Sequence, residues 1–402
     1  MQRVLITGGA GFIGSSLASA LMLSKNYHVT VLDNLSRGCL KNISRWLGSP
    51  RFEFVHADLL DNSKFNEKKF STLQKVVDSS DMVFHLAANP EVAIGTENTH
   101  IDFQQNVQAT YNLLEAIRKS QQVVDHKNGN GNDKQEERIR NKKKRLIFAS
   151  SSTVYGKADK RPTPEDYSPL NPISLYGSTK LAGEAIISGY CHMFGIHCIV
   201  ARLANIIGPR NTHGVIYDFI TKLSTHPDFL DILGNGQQDK SYLYVEDCVD
   251  ALMLLSGRMW TNSGSSVENI NGNMRQEEID VDDSANISGT QTNKESYEKK
   301  PQFEVFNIGS DDTITVLQIA QILMDQLSLR SEKVKKVFKN NFEDGRGWKG
   351  DVPDFWLDCS KLKGIGWKPK YSRSRDAVLH SCAEYIKTGI GKNVFDLHIG
   401  TL

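Results

Sequence analysis

Through the first half of the chain, short runs of Val, Ile, Leu and Phe alternate with longer stretches in which apolar residues return every three or four positions. The short runs, Arg3 to Thr7, His28 to Leu32, Arg51 to Val55, Met82 to Leu86, Arg145 to Ala149 and His197 to Arg202, predict strands. Several are apolar throughout, as a strand covered on both faces must be. The longer stretches, Phe12 to Leu23, Ile101 to Arg118 and Leu175 to Met193, predict helices with one apolar stripe turned to the sheet. Alternation of this kind predicts an α/β fold with a doubly wound parallel sheet over residues 1–202, followed by a smaller α/β domain over 203–402.

Two stretches break the pattern. Residues 121–144 read QQVVDHKNGNGNDKQEERIRNKKK, and residues 261–302 are rich in Asn, Ser, Gly, Gln and acids. Neither carries enough apolar surface to offset the entropy of ordering it, and each lies between a helical segment and a strand. They read as surface loop insertions, disordered or weakly helical, and the basic run Lys142 to Arg145 as solvated charge on such a loop. At 402 residues the chain exceeds what one hydrophobic core supports, which agrees with two lobes. Its 48 basic and 47 acidic residues cancel, leaving no chain-wide field to hold nucleic acid or an anionic membrane, so an anionic ligand must be caught locally. No uncharged apolar run reaches the roughly 18 to 20 residues that cross a bilayer. A strand beginning at Arg3 leaves no room for a signal peptide, so a cytoplasmic protein is expected. The six cysteines contain no C-x-x-C pair, which points to reduced thiols and to no metal site.

A local anion site is written at the first strand–helix junction. VLITGGAGFIG contains Gly9-x-Gly11-x-x-Gly14 preceded by Gly8, with Phe12 and Ile13 opening the helix. About twenty residues on, Asp33 and Asn34 end the second strand. Glycines allow a tight turn whose backbone N–H groups approach a pyrophosphate at the positive helix end, and the acid accepts from ribose hydroxyls. A carboxylate there repels the extra phosphate of NADP, so the expected cofactor is NAD, although Arg37 stands close enough in sequence to soften that preference. Asp58 and Leu59 follow the third strand, where a carboxylate can meet adenine. HLAAN, His85 to Asn89, ends the fourth with the small residues Ala87 and Ala88 after Leu86, which allow close backbone approach.

The candidate chemistry lies further on. SSSTVYG, Ser150 to Gly156, follows the fifth strand, and LYGSTK supplies Tyr176-x-x-x-Lys180. Residues four apart share a helix face, so the Lys180 ammonium can lie beside the Tyr176 phenol. A free phenol with a pKa of about 10 is a poor base at neutral pH, and a nearby cation favours phenolate.

With these motifs the chain resembles the extended short-chain dehydrogenase/reductase family and, within it, the NAD-dependent nucleotide-sugar epimerase/dehydratase group, whose members of the UDP-glucose 4-epimerase type have a Rossmann domain and a C-terminal substrate domain. The likeness extends through Asn106 in QNVQATYNLLEA, RLANIIGPR, GNGQQDKSYLYVEDCVDA, FNIGS and RGWKGDVPDFWLDCSKLKGIGWKPK. It implies that Tyr176 is the base, that Lys180 tunes it and binds the nicotinamide ribose, and that Ser151 bonds the reacting hydroxyl, its neighbours Ser150 and Ser152 being the alternatives. It implies Asn106 as a cofactor residue and Asn205 as a contact of the nucleotide diphosphate. Lys240 stands where many relatives carry an arginine for that diphosphate, and Arg346 lies near a second such position. Dehydratases of the family carry Asp and Glu where this chain has Ser152 and Thr153, and decarboxylases tend to keep the Glu. That favours C4 epimerisation of a nucleotide-diphosphate sugar over dehydration, decarboxylation or reduction, and over a non-catalytic NAD sensor. A homodimer formed through two helices beside the sheet is usual in the family.

Overall fold

A computed structural model describes residues 1–61, 67–92, 95, 97–125, 138–141, 144–261, 302–339 and 342–388. In chain order the first half runs β1 (Gln2–Thr7), α1 (Phe12–Leu23), β2 (Tyr27–Asp33), β3 (Phe52–His56), α2 (Glu67–Asp78), β4 (Met82–His85), α3 (Thr99–Asp102) and α4 (Ala109–Ser120). Then come β5 (Gln122–Asp125), β6 (Arg138–Asn141), β7 (Arg145–Ser151), α5 (Leu175–Phe194) and β8 (His197–Leu203). The second half contributes β9 (Asn205–Ile207), α6 (Val215–Thr225), β10 (Phe229–Leu233), β11 (Asp239–Lys240), β12 (Tyr242–Tyr244) and α7 (Val245–Thr261). It ends with β13 (Phe303–Ile308), β14 (Ile314–Thr315), α8 (Val316–Gln326), β15 (Lys335–Lys339), α9 (Ser360–Gly364) and α10 (Ser374–Lys387).

Seven strands form one parallel sheet in the order β13-β8-β7-β4-β1-β2-β3, each registered on its neighbour in the same direction. Leu5, Ile6, Val83, Phe84, Leu146, Ile147, Ile199 and Val200 are almost wholly enclosed, because helices cover both faces. Chain direction across the sheet reverses between β1 and β4, which opens a crevice above the carboxyl ends of those two strands. Every strand and helix predicted for the first half is present within a residue or two, except that the helix of Ile101 to Arg118 takes a π-helical turn over Phe103–Gln108.

The sheet crosses the expected boundary at residue 202: β13 supplies its seventh strand beside β8, and α7 packs on α1. Two further expectations need correction. Residues 121–144 are not a loop throughout, since β5 pairs antiparallel with β6, Val123 opposite Arg140; residues 126–137 lie outside the described residues. Of the expected insertion over 261–302, only Thr261 and Gln302 are described. Nor is the basic run all solvated. Lys144 is 1% exposed and its ammonium donates to the carbonyls of Val77 (2.7 Å), Asp78 (3.1 Å) and Ser80, closing the C-terminus of α2 where carbonyls concentrate negative charge. The neighbouring guanidinium of Arg145 donates to the Met259 carbonyl at 3.1 Å and lies over the Trp260 ring.

Lys144→Ala is expected to cost about 2–4 kcal/mol, because three carbonyls, two of them buried, lose a charged donor together. A thermal melt with an unchanged midpoint would show that α2 does not depend on this cap.

Candidate active site

The turn between β1 and α1 is shaped by close approach. Gly8 has φ +72°, and a Cβ there would stand 2.7 Å from the Ala87 nitrogen, while a Cβ on Gly14 would run into the Gly8 carbonyl oxygen. Only bare backbone lets this turn sit against the end of β4. Asp33, 6% exposed, accepts from the Ala10 N–H at 2.9 Å and the Leu35 N–H at 2.8 Å, so its carboxylate is fixed at the crevice wall. Asp58 accepts from the Asn34 side-chain amide at 2.8 Å and from the Leu60 N–H, which joins the ends of β2 and β3. Gly8, Gly11, Phe12, Ile13, Gly14, Asp33, Asn34, Asp58, Leu59, Leu86, Ala87 and Ala88 all line one continuous cleft of about 1390 Å³. That exceeds the roughly 300–1,000 Å³ of a pocket for one small ligand and leaves space for two.

At the middle of this cleft Ser151, at the end of β7, meets Tyr176 and Lys180 in the first turns of α5. Ser174 caps the helix, its hydroxyl accepting from the Gly177 N–H at 3.0 Å. Ser151 bonds the Tyr176 phenol and also accepts from the hydroxyl of Thr153 at 3.0 Å. The Lys180 ammonium lies 5.9 Å from the centre of the Tyr176 ring and donates to the Ala149 carbonyl at 2.9 Å. Lys180 by itself does not bring the phenol down. Burial pushes Tyr176 up to about 12, partly opposed by the Ser151 hydrogen bond and reinforced by the Asp102 charge. Lys180 itself is lowered to about 8 by burial, against the pull of Glu184. Desolvation is the largest influence on both groups, and the phenol is protonated at neutral pH.

Beyond the reactive centre, Asn205 and Lys240 line the same cleft. Asn205 bonds the Tyr242 phenol across the β9–β12 pair, and Lys240 pairs with Asp351 at 2.6 Å and faces the Trp348 ring at 5.5 Å. Two predicted residues are not on the cleft wall. Asn106 is buried between elements, accepting from the Asn89 N–H and donating to Thr179 at 2.9 Å each, so it ties the β4 loop to α5. Arg346 turns to Asp344 at 3.0 Å and to the Phe342 ring.

A family model described as the NAD dependent epimerase/dehydratase family matches residues 4–270. The chain belongs to this family, among the extended short-chain dehydrogenases/reductases. It is 29% identical over 373 residues to a putative UDP-glucose 4-epimerase of Methanocaldococcus jannaschii, covering 91% of this chain and 93% of that one. It is also 26% identical over 400 residues to UDP-glucuronic acid decarboxylase 5 of Arabidopsis thaliana, covering 98% and 92%. A crystal structure of UDP-galactose 4-epimerase superposes with a TM-score of 0.69 at 34% identity, over 96% of this chain and 99% of that one. NAD is thus the cofactor of a nucleotide-sugar enzyme, and the glycine turn, fixed Asp33 carboxylate and two-ligand cleft fit it.

Several residues around the family's serine, tyrosine and lysine escape a reading by local spacing. Glu184, one turn past Lys180, grips Arg202 of β8 through both carboxylate oxygens (2.7 and 3.1 Å) and accepts from Ser150, next to Ser151. Arg202 also donates to Tyr155 at 2.9 Å, and Tyr155 to Asn307 of β13 at 2.8 Å. This buried net holds the helix bearing Tyr176 and Lys180 to the strand bearing Ser151. Arg210 lines the cleft beside the glycine turn, donating to Ser15 at 3.1 Å; its place in the IGPR segment was the available signal. Among the described residues no cluster of His, Cys, Asp and Glu could hold a metal, and no helix is long and apolar enough to cross a membrane.

Because Lys180 has its pKa lowered from 10.5 to about 8, the folded chain binds fewer protons than the unfolded one between those values, and stability rises with pH through that window. Below pH 8 the burial of the charge carries its full cost, about 3 kcal/mol. Lys180→Met is therefore expected to melt higher than the unaltered protein at pH 7 without cofactor, less the lost bond to Ala149, and the gain should shrink by pH 10. A lower melting point at pH 7 would contradict the desolvation account.

Proposed function

We propose that this protein is a cytoplasmic, homodimeric 4-epimerase of a nucleotide-diphosphate sugar of the UDP-glucose/UDP-galactose or UDP-uronate type. The observation that carries this reading is the state of the carboxylates on the cleft wall. Asp33 and Asp58 are engaged at the adenosine end, Glu91 pairs with Arg37, Asp218 with Lys222 and Asp351 with Lys240. Ser152 and Thr153 stand beside Ser151 in place of acids. Among the described residues this leaves no unengaged carboxylate pair to expel a hydroxyl and take a C5 proton, as dehydration requires.

Tyr176 and Ser151 suit the simpler reaction. Bound NAD supplies the hydride acceptor and donor and, when oxidised, a positive charge. Tyr176 takes the proton of the C4 hydroxyl as the C4 hydride departs, and Ser151 shares that hydrogen bond and holds the oxygen in place. Lys180, held by the Ala149 carbonyl, keeps a cation near the phenol. Once the 4-keto sugar has turned its other face, Tyr176 returns the proton as hydride comes back, so no cofactor is consumed. Arg210, Asn205 and Lys240 lie where they can hold the diphosphate. The dimer reading rests on α4 and α5, which pack on each other and leave Tyr111, Leu175 and Phe194 exposed, with Phe103 exposed on the turn before α4.

With UDP-glucose or UDP-glucuronate deuterated at C4, the label is expected to reappear at C4 of the inverted product with no solvent hydrogen at C5. Tyr176→Phe should lower turnover at least about a hundredfold while NAD binding persists. Release of carbon dioxide, loss of water with C5 exchange, or stoichiometric oxidation of added NADH, on a substrate turned over faster than the epimerised ones, would overturn the reading. For the assembly, light scattering should give twice the 45.0 kDa of one chain, and Phe103→Glu should halve that mass. A monomeric unaltered protein would refute the dimer.

A further inference from the structure

The segment after β2 brings two cations, Arg37 and Lys41, to the cleft wall. Arg37 adjoins the ribose-binding acid: a Cβ on the next residue, Gly38, would stand 2.7 Å from Asp33 Oδ1. The Asp33 oxygens are taken by the N–H groups of Ala10 and Leu35, and Arg37 reaches instead to Glu91, Nη2 to Oε2 at 2.6 Å. Glu91 follows the end of β4, and β2 and β4 are the two neighbours of β1 in the sheet. The ion pair thus crosses above the carboxyl end of β1, where the glycine turn opens into the cleft.

An arginine beside the acid that ends β2 is what accommodates the 2′-phosphate of NADP, because its planar fork matches phosphate oxygens. Here that fork is occupied and its charge balanced. We propose that Glu91 is a cofactor-selecting residue: by holding Arg37 it denies a 2′-phosphate its receptor. Selection of NAD then rests on two acids, one that repels the phosphate and one that withholds the cation. The pair is partly exposed, 46% for Arg37 and 30% for Glu91, so it is held weakly enough for one substitution to release it.

The test is a displacement titration on the full chain carrying labelled NAD, with unlabelled NAD and NADP as competitors, read as the NADP-to-NAD affinity ratio. Glu91→Gln, which keeps the shape and removes the charge, is expected to raise that ratio roughly tenfold, the size of one charge-assisted contact. The gain should vanish in Glu91→Gln/Arg37→Ala, because it works through the freed guanidinium and not through Lys41. A ratio unchanged in Glu91→Gln would overturn the proposal, and so would a gain that persists without Arg37. Equal loosening of both cofactors leaves the ratio where it was and counts against the proposal in the same way. No step of catalysis enters the measurement, so the epimerase reading can fail while this one stands.

Discussion

Desolvation of the Tyr176–Lys180 face of α5 is the constraint on which the rest of the site depends. Packed against the end of β7, the phenol is held near 12 and the ammonium near 8, so each group is pushed toward its neutral form. The surrounding net fixes the elements that carry these two groups. Glu184 binds Arg202 and Ser150, and Arg202 continues to Tyr155 and Asn307, so α5, β7, β8 and β13 meet at one hydrogen-bonded knot behind the reactive groups. Such a net is strong only when every member is satisfied, which is why it lies where solvent does not reach.

The same logic explains where the ligands go. The parallel sheet changes direction between β1 and β4, and all the chemistry hangs from carboxyl ends of strands: the glycine turn after β1, Asp33 at the end of β2, the small residues after β4, Ser151 at the end of β7. The second half of the chain closes this row from above through β9, Lys240 and Trp348. The end proposed for the diphosphate carries a lysine already balanced by Asp351, so recognition there would rely on Arg210, on hydrogen bonds and on shape more than on net charge.

Much of this was legible in the sequence because it is local. A turn that needs bare backbone shows as glycines, a carboxylate at the cleft wall as an acid at a strand end, and a helix face as residues four apart. What stayed hidden is what long-range pairing decides. Nothing near FEVFNI says that it joins the sheet next to β8, a strand some hundred residues earlier. A lysine in a basic run carries no mark of the three carbonyls that enclose Lys144, and Arg37 no mark of Glu91. Asn106 was placed on the cofactor by likeness, and nothing local says that its amide ties Asn89 to Thr179. The sign at Tyr176 was also out of reach, since spacing reveals a nearby charge but not how much water has been removed from around the phenol.

If burial sets the resting state of the base, the charge that brings the phenol into the neutral range must arrive with the oxidised cofactor. The most direct measurement is an ultraviolet titration of phenolate, with and without NAD, taken as the difference from Tyr176→Phe. Without NAD the Tyr176 contribution should remain protonated at about pH 10, and with NAD its midpoint should fall below about 9. Phenolate at neutral pH in the cofactor-free protein, or a midpoint that NAD leaves unmoved, would contradict the account.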